Sequence, residues 1–201
     1  MSAQAMSMSA NVVEGGFSDP VFDAQSVFSS LLRAMSRPGE IARLDPGCAP
    51  PAPLSAAQGA ILLALADAET PVFIGVPSPT LKRWLAFHTG ARLDDGERAD
   101  YAVVQHLDAA LFDRLPLGTL TYPDRSATVL CEVGSLTDGP SYELTGPGID
   151  GTRIISPRGL SEGFAAFRTM NRALFPCGLD LVLTCGPDVL ALPRSTTVRE
   201  V

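Results

Sequence analysis

The sequence contains one lysine, two histidines and four widely spaced cysteines, and each scarcity limits the chemistry that the chain can perform. Structural zinc sites use closely spaced pairs of ligands, and no CxxC pair occurs here, so we expect no metal site. A lysine-based Schiff base would have to use Lys82. Cys131 and Cys185 lie within apolar runs, where a reduced cysteine behaves as a small hydrophobic residue. A reducing compartment is the simplest setting for such cysteines, so we also expect a cytoplasmic protein.

The chain also lacks a basic surplus and long apolar runs. Its formal net charge is -7, whereas a nucleic-acid-binding protein normally carries a basic face, so we expect no nucleic-acid partner. No apolar run reaches the roughly 20 residues of a membrane-spanning helix. Residues 1–16 contain neither lysine nor arginine, and a secretory signal needs a cationic start. We therefore expect no membrane association and a flexible tail over residues 1–16.

Nucleotide-binding motifs are absent or occur in the wrong context. No GxxxxGK(S/T) stretch exists, which excludes a P-loop. Residues 146–151 match the GxGxxG spacing, but that fingerprint requires a helix directly after the glycines. Here residues 152–156 contain β-branched side chains typical of a strand, and Pro147 removes a backbone amide. We therefore expect a tight turn rather than a dinucleotide site.

Helix and strand patterns alternate along residues 17–201. Asp19 and Pro20 start an amphipathic helix that ends at Gly39, and Ser55 with Gln58 forms a capping-box pattern before a second helix. Further helices are predicted after Ser78, near residues 108–115 and over residues 160–174. Apolar runs predict strands at residues 70–76, 100–105, 127–133, 142–145, 152–156, 179–184 and 189–192, the last two joined as a hairpin. This alternation predicts a single α/β domain over residues 17–201, with a mixed sheet.

Three arginines and one histidine are candidate contacts for an anion or a partner protein. Arg194 stands beside three hydroxyl residues, and a guanidinium group with hydroxyls can bind a phosphate or phosphonate. A salt bridge or an interface contact at a sheet edge is the alternative. Arg153 and Arg37 have similar but weaker claims. His88 lies near the C-terminal end of its predicted helix, where a core position or an interaction with the helix dipole is the alternative to catalysis.

Six stretches resemble, in the same order, the segments of one known family. They are FDAQSVFSSLLRAMSRPG at 22–39, LADAETPV at 65–72, FHTG at 87–90, LTGPGI at 144–149, FPCGLDLVLTCG at 175–186 and LPRSTTV at 192–198. The last two are the most specific, with one departure at Cys177, where an aliphatic residue is expected. Together they resemble the H subunits of the bacterial carbon–phosphorus lyase system for phosphonate degradation, the PhnH family.

The resemblance implies a fold similar to that of the pyridoxal-phosphate-dependent transferases, an α/β/α sandwich, but without the cofactor. A pyridoxal enzyme holds its cofactor through a lysine Schiff base. Lys82 stands inside a predicted helix beside Arg83, and we interpret it as a solvated surface residue. We therefore expect no cofactor.

The resemblance also implies a collective function. The chain is similar to one subunit of an assembly with G, I and J subunits, which displaces adenine from ATP by a phosphonate and forms a ribose 1-phosphonate 5-triphosphate. Two roles stay open: an assembly subunit, or a subunit that lends residues such as Arg194 or His88 to a shared active site. The alternative is an independent cytosolic enzyme or a binding protein for a small anionic ligand. For the isolated chain we expect a homodimer, because an assembly subunit without its partners tends to cover its apolar surface by self-pairing.

Overall fold

The computed structural model describes residues 13–44 and 47–201. Its strands are β1 Ile41–Arg43, β2 Pro71–Ile74, β3 Arg92–Leu93, β4 Tyr101–Val104, β5 Thr128–Glu132, β6 Tyr142–Thr145, β7 Arg153–Ile155, β8 Asp180–Cys185, β9 Asp188–Leu192 and β10 Thr197–Glu200. Seven of them form a large sheet in the order β1-β9-β8-β5-β4-β2-β3, and the other three form a small sheet in the order β10-β6-β7.

The large sheet is mixed. Strands β3, β2, β4, β5 and β8 run parallel, and β9 and β1 continue the sheet in antiparallel pairs. The centre of β5, from Val129 to Cys131, is buried without alternation, because a parallel sheet is covered on both faces. The predicted α/β class with a mixed sheet is confirmed, and so is the predicted hairpin between β8 and β9.

Helices cover both faces of the large sheet. They are α1 Pro20–Ser36, α2 Ala56–Leu65, α3 Pro79–Thr89, α4 Ala110–Arg114 and α5 Phe164–Ala173. One buried cluster joins α1, α2 and α3 to the face of the sheet that carries Val182. A second cluster joins α4, α5 and the small sheet to the face that carries Leu183. Since consecutive side chains of a strand point to opposite faces, the two clusters lie on opposite sides of the sheet.

The helix ends follow from short-range sequence signals. The Ser55 hydroxyl accepts a hydrogen bond from the Gln58 amide at 3.4 Å, and the Ser55 amide donates to the Gln58 side chain at 3.2 Å, which confirms the predicted capping box. Ser78 caps α3 by accepting from the Leu81 amide at 3.1 Å. Gly90 ends α3 with a φ of 74°, a left-handed conformation that glycine adopts without strain.

Some features of the sheets differ from the sequence-based expectation. The edge strands β1 and β3 and the last strand β10 were not predicted, and neither was the separate small sheet. Residues 146–151 form the expected turn between β6 and β7, with the Ile149 amide donating to the Gly146 carbonyl at 3.2 Å. That turn joins two antiparallel strands, so no helix follows the glycines.

The beginning of the described chain packs against α3. The Trp84 indole donates to the Glu14 carbonyl at 3.0 Å, and the Ala49 amide donates to the Gly15 carbonyl at 3.0 Å. The predicted flexible tail, residues 1–16, lies outside the described residues except for its last four positions. None of the helices in the described part of the chain combines the length and apolar character that crossing a membrane requires.

Candidate functional site

A cavity of about 550 Å³ opens at the carboxyl end of β2. The chain order reverses at this strand, because β3 lies on one side of it and β4 and β5 lie on the other. In open α/β sheets, ligands bind beyond the carboxyl ends of the strands at such a point. The cavity wall comes from four segments of the chain and consists of Phe73, Ile74, Gly75, Pro77, Ser78, Pro79, Lys82, Leu93, Asp94, Asp95 and Arg114.

The start of α3 brings the only lysine of the chain to this cavity. Ser78 caps the helix, and Pro79 occupies its first turn, where its fixed φ suits the helix and its missing amide is not needed. The Lys82 amide donates to the Ser78 carbonyl at 2.9 Å, so Lys82 stands one turn into α3. Its side chain is exposed, as expected from the sequence. It also lines the cavity, which the sequence did not reveal.

Arg114, the last residue of α4, also lines the cavity and is held there by two contacts. Its guanidinium carbon lies 4.3 Å from the centroid of the Phe73 ring, within range for a cation–π interaction. Its Nε donates to the Asp95 carbonyl at 2.9 Å. These two contacts fix the plane of the guanidinium group beside the cavity.

Asp94 contributes a carboxylate whose oxygens are already engaged. Its Oδ1 accepts from the Gly96 amide at 2.9 Å and from the Arg98 amide at 3.1 Å, and its Oδ2 lies 3.5 Å from the Arg98 guanidinium. Desolvation alone would raise the pKa of Asp94, but the two amides and the Arg98 charge lower it below its ordinary value. Asp94 is therefore an ionised wall residue whose charge is balanced within the chain.

Arg194 forms an intramolecular salt bridge. Its Nη2 lies 2.6 Å from Asp180 Oδ2, its Nε is 3.2 Å from each oxygen of the same carboxylate, and its Nη1 donates to the Pro123 carbonyl. All three guanidinium nitrogens therefore have partners inside the chain. This placement corresponds to the alternative given for Arg194, a salt bridge at the sheet, and a contact with an anion stays a prediction.

The structure brings Arg37 and Arg153 together at one carboxylate. Arg153 Nη2 lies 3.0 Å from Glu40 Oε1, and its Nη1 donates to the Pro38 carbonyl at 3.0 Å. Arg37 Nη1 lies 3.8 Å from Glu40 Oε2. The pair joins the segment after α1 to the β6–β7 hairpin, and Glu40 compensates part of its charge.

His88 packs against two aromatic rings on α3. Its ring centroid is 5.0 Å from that of Trp84 and 4.9 Å from that of Phe87. Its Nε2 is buried and has no hydrogen-bond partner among the residues that the structure describes. An aromatic environment of this kind fits the packing role that was the alternative to catalysis.

One motif was missed in the sequence: residues 159–163 have the GxSxG spacing of a nucleophile elbow. Such an elbow follows a strand directly and exposes its serine. Here the Ser161 hydroxyl donates to the Leu107 carbonyl at 2.7 Å, and the Ser161 carbonyl accepts from the Phe164 amide at the start of α5. Ser161 therefore helps to begin a helix and is not presented as a nucleophile.

The remaining chemistry of the described part is limited. Within residues 13–44 and 47–201, no group of three or more histidine, cysteine or acidic side chains is placed to hold a metal ion. The cavity walls offer two cationic groups, one ionised carboxylate that is already engaged, and the exposed Asp95. This arrangement suits the binding of a small polar anion better than bond-making by a nucleophile.

The sequence has clear relatives. The family model described as bacterial phosphonate metabolism protein (PhnH) matches residues 15–199. The chain is 45% identical over 201 residues to the alpha-D-ribose 1-methylphosphonate 5-triphosphate synthase subunit PhnH of Rhizobium meliloti, covering 96% of this chain and 99% of that protein. It is 31% identical over 177 residues to the putative C-P lyase subunit protein HtxG of Stutzerimonas stutzeri, covering 87% of this chain and 85% of that protein.

Proposed function

Because the chain belongs to the PhnH family of bacterial phosphonate metabolism proteins, we propose that it is a subunit of a carbon–phosphorus lyase system. In this role it supports the transfer of the ribose triphosphate of ATP to a phosphonate, with release of adenine. The observation that carries the proposal is the 45% identity to the Rhizobium meliloti synthase subunit over 99% of that protein. The alignment covers nearly the full length of both proteins.

The chain acts together with partner subunits, and we name the G, I and J subunits of the system as these partners. Both relatives are themselves named as subunits. The four predicted contacts also do not form one catalytic group: Arg194 is paired with Asp180, and Arg153 is paired with Glu40. A role in assembly therefore has more support than the lending of Arg194 to a shared active site.

The isolated chain is proposed to form a homodimer through helix α1. Val21, Phe28 and Leu32 are exposed on this helix, and their spacing of seven and four residues places them on one side of it. We call these three residues the α1 apolar row. Exposed apolar rows of this kind are typical of surfaces that a partner covers, and a second copy is the simplest partner in solution.

Two finer features complete the proposal. The fold is that of the pyridoxal-phosphate-dependent transferases without the cofactor, which the mixed sheet with helices on both faces supports. Residues 17–201 form one domain in a cytoplasmic protein, after a flexible tail. A binding protein for a small anionic ligand is the alternative function, and the cavity lined by Lys82 and Arg114 is the observation that favours it.

Reconstitution from purified subunits tests the proposal. The chain alone, given ATP and methylphosphonate, should release no adenine, whereas the complete set of subunits should release it and the set without this chain should release much less. Adenine release by the chain alone, rising with its concentration, would show that it is an independent enzyme. Equal release with and without the chain would remove it from the reaction altogether.

A further inference from the structure

We propose that the cavity at the carboxyl end of β2 binds a small molecule that carries a phosphate or phosphonate group, which Lys82 and Arg114 hold. This binding concerns the chain by itself and does not depend on the proposed complex. Three features support it: a lysine with no salt-bridge partner among the described residues, a guanidinium group held by two contacts, and a cavity larger than the anion alone.

Lys82, the only lysine of the sequence, lines the cavity. No salt-bridge partner of Lys82 exists among the described residues. The next residue, Arg83, also has no salt-bridge partner among the described residues. However, its Nε donates to the Pro79 carbonyl at 3.2 Å, and it does not line the cavity. A lysine ammonium is a compact charge with three donors and is well suited to an anionic oxygen.

Arg114 presents a guanidinium group that is already oriented. Among the described residues, only the Asp95 carbonyl accepts a hydrogen bond from this group, through Nε, and the Phe73 ring supports its face. Its two Nη atoms have no hydrogen-bond partner within the described part of the chain. A planar guanidinium with both Nη atoms available can donate two parallel hydrogen bonds to a phosphate or phosphonate.

The two acidic residues of the wall, Asp94 and Asp95, do not repel a bound anion to the same extent. Asp94 is balanced by two amides and Arg98, so its charge acts mainly within the wall. Asp95 is exposed and its carboxylate can accept a hydrogen bond from a hydroxyl group. The ligand that fits is therefore an anion with a hydroxyl-bearing organic part, and the volume of about 550 Å³ lies in the range of ordinary small-molecule sites.

The other arginines considered above leave less capacity for an anion. Arg194 has partners on all three guanidinium nitrogens, and Arg153 is paired with Glu40 and with the Pro38 carbonyl. A ligand at either position would first have to replace contacts within the chain. The cavity offers its two cations without that cost.

Titration of the full-length chain with inorganic phosphate, methylphosphonate, ribose 5-phosphate and ATP, in separate experiments, tests the proposal. Binding is followed by calorimetry and by the amide NMR signals of Gly75, Ser78 and Asp95, which line the cavity. We expect ribose 5-phosphate or ATP to bind more tightly than the two simple anions, with the largest shifts at these amides. Acetate, which lacks the tetrahedral anion, should produce no such shifts.

Two variants of equal charge separate a specific site from general attraction. Lys82→Ala and Arg83→Ala each remove one positive charge from neighbouring positions of α3, and both residues are exposed. Lys82→Ala should weaken binding at least tenfold, and Arg83→Ala less than twofold. Arg114→Met, which keeps an apolar stem over Phe73, should also weaken binding at least tenfold.

The proposal is overturned if none of the four anions binds at millimolar concentration. It is equally overturned if Lys82→Ala and Arg83→Ala weaken binding to the same extent, since that result would reflect net charge alone. Shifts confined to amides far from β2 and α3 would place the anion elsewhere. None of these outcomes depends on adenine release by the reconstituted set, so the subunit role can fail or succeed independently.

Discussion

Arg194 and Asp180 are joined by contacts that involve both the side chain and the backbone of the arginine. The Arg194 amide donates to Asp180 Oδ1 at 2.7 Å, while the guanidinium contacts both carboxylate oxygens. The two side chains are only 16% and 15% exposed. The pair connects the first residue of β8 to the segment between β9 and β10, and thus helps to place the small sheet beside the large one.

Replacing Arg194 by alanine should therefore destabilise the fold. The change leaves the Asp180 carboxylate without its cation in a mostly desolvated position, and we expect the free energy of unfolding to fall by about 2–4 kcal/mol. Urea unfolding followed by circular dichroism measures this. Arg199→Ala is the matched control, because the Arg199 side chain pairs with Glu143 but is 72% exposed. This variant should lower the free energy of unfolding by less than about 1 kcal/mol. A wild-type urea midpoint for Arg194→Ala would contradict this assignment and return Arg194 to the candidate ligand contacts.

Asn171 makes a similar link to the backbone of Leu179. The Asn171 amide group donates to the Leu179 carbonyl at 2.9 Å, and its carbonyl oxygen accepts from the Leu179 amide at 2.7 Å. Asn171 is fully buried, so both backbone groups would otherwise lack a partner. The nearly isosteric Asn171→Asp should cost about 3 kcal/mol or more, because an oxygen then faces the Leu179 carbonyl.

Thr169→Ala is the control for Asn171→Asp, since Thr169 is an exposed residue of the same helix whose hydroxyl only donates to the Ala165 carbonyl. Its effect in urea unfolding should stay within about 0.5 kcal/mol. Equal stability of the two variants would mean that the Asn171 contacts do not hold the start of β8.

The features that sequence could predict are those decided by near neighbours. Helix starts at Asp19, Ser55 and Ser78 were predicted because a cap and its amide lie three residues apart. The hairpin between β8 and β9 was predicted because only a short turn separates its two apolar runs in sequence. Strand β10 was not, because its pairing with β6 depends on residues more than fifty positions away and its apolar pattern is weak.

The candidate site was harder to predict because partners that are distant in sequence decide it. Arg153 was a candidate anion contact, but its carboxylate partner, Glu40, is 113 residues away. Lys82 was read as a solvated helix residue, and only the fold shows that α3 places it beside residues that follow β3. Fully buried Arg168 was not considered at all, although it donates to the carbonyls of Leu192, Pro193 and Thr196.

The Cys131 thiol should make stability depend on pH in alkaline solution. Burial, with a smaller contribution from the Glu132 charge, raises the pKa of Cys131 from 9.0 to about 12. A raised folded-state pKa stabilises the fold below the unfolded value, and this contribution is lost as the pH rises from about 9 to about 12. Between pH 7 and pH 10 the free energy of unfolding of the wild-type chain should fall by about 1.4 kcal/mol more than that of Cys131→Ala.

Urea unfolding of the two proteins at both pH values measures this difference. The cavity left by Cys131→Ala lowers stability equally at each pH. The change in the free energy of unfolding between the two pH values therefore reports only the ionisation of the thiol. The pKa of Cys48 is also raised, to about 11, by burial and the Asp23 charge, and its effect cancels because both proteins retain it. Parallel losses in the two proteins would show that the Cys131 thiol ionises as readily in the folded chain as in the unfolded one.

Pyridoxal phosphate should not form a lasting Schiff base with this chain. Lysines that form stable Schiff bases are usually desolvated, because burial favours the neutral amine, whereas Lys82 is exposed. After incubation with pyridoxal phosphate and dialysis, the wild-type chain and Lys82→Ala should show the same visible spectrum. A pyridoxal absorbance that survives dialysis in the wild type and disappears in Lys82→Ala would contradict this and would assign the cavity to that cofactor.

We expect the isolated chain to be a dimer, and we expect negative charges introduced on the α1 apolar row to disrupt it. Phe28 and Leu32 are 49% and 57% exposed, and they lie one turn apart, so glutamates at both positions would face the same partner surface. Light scattering at micromolar concentration should give about twice the chain mass of 21.1 kDa for the wild type and the single chain mass for Phe28→Glu/Leu32→Glu. Phe87→Glu is the control, because Phe87 is equally exposed, at 58%, but lies on α3. A monomeric wild type would refute the dimer. A dimeric double variant would refute only the place of α1 in the interface, because a buried contact cannot accept two new carboxylates without a cation to balance them.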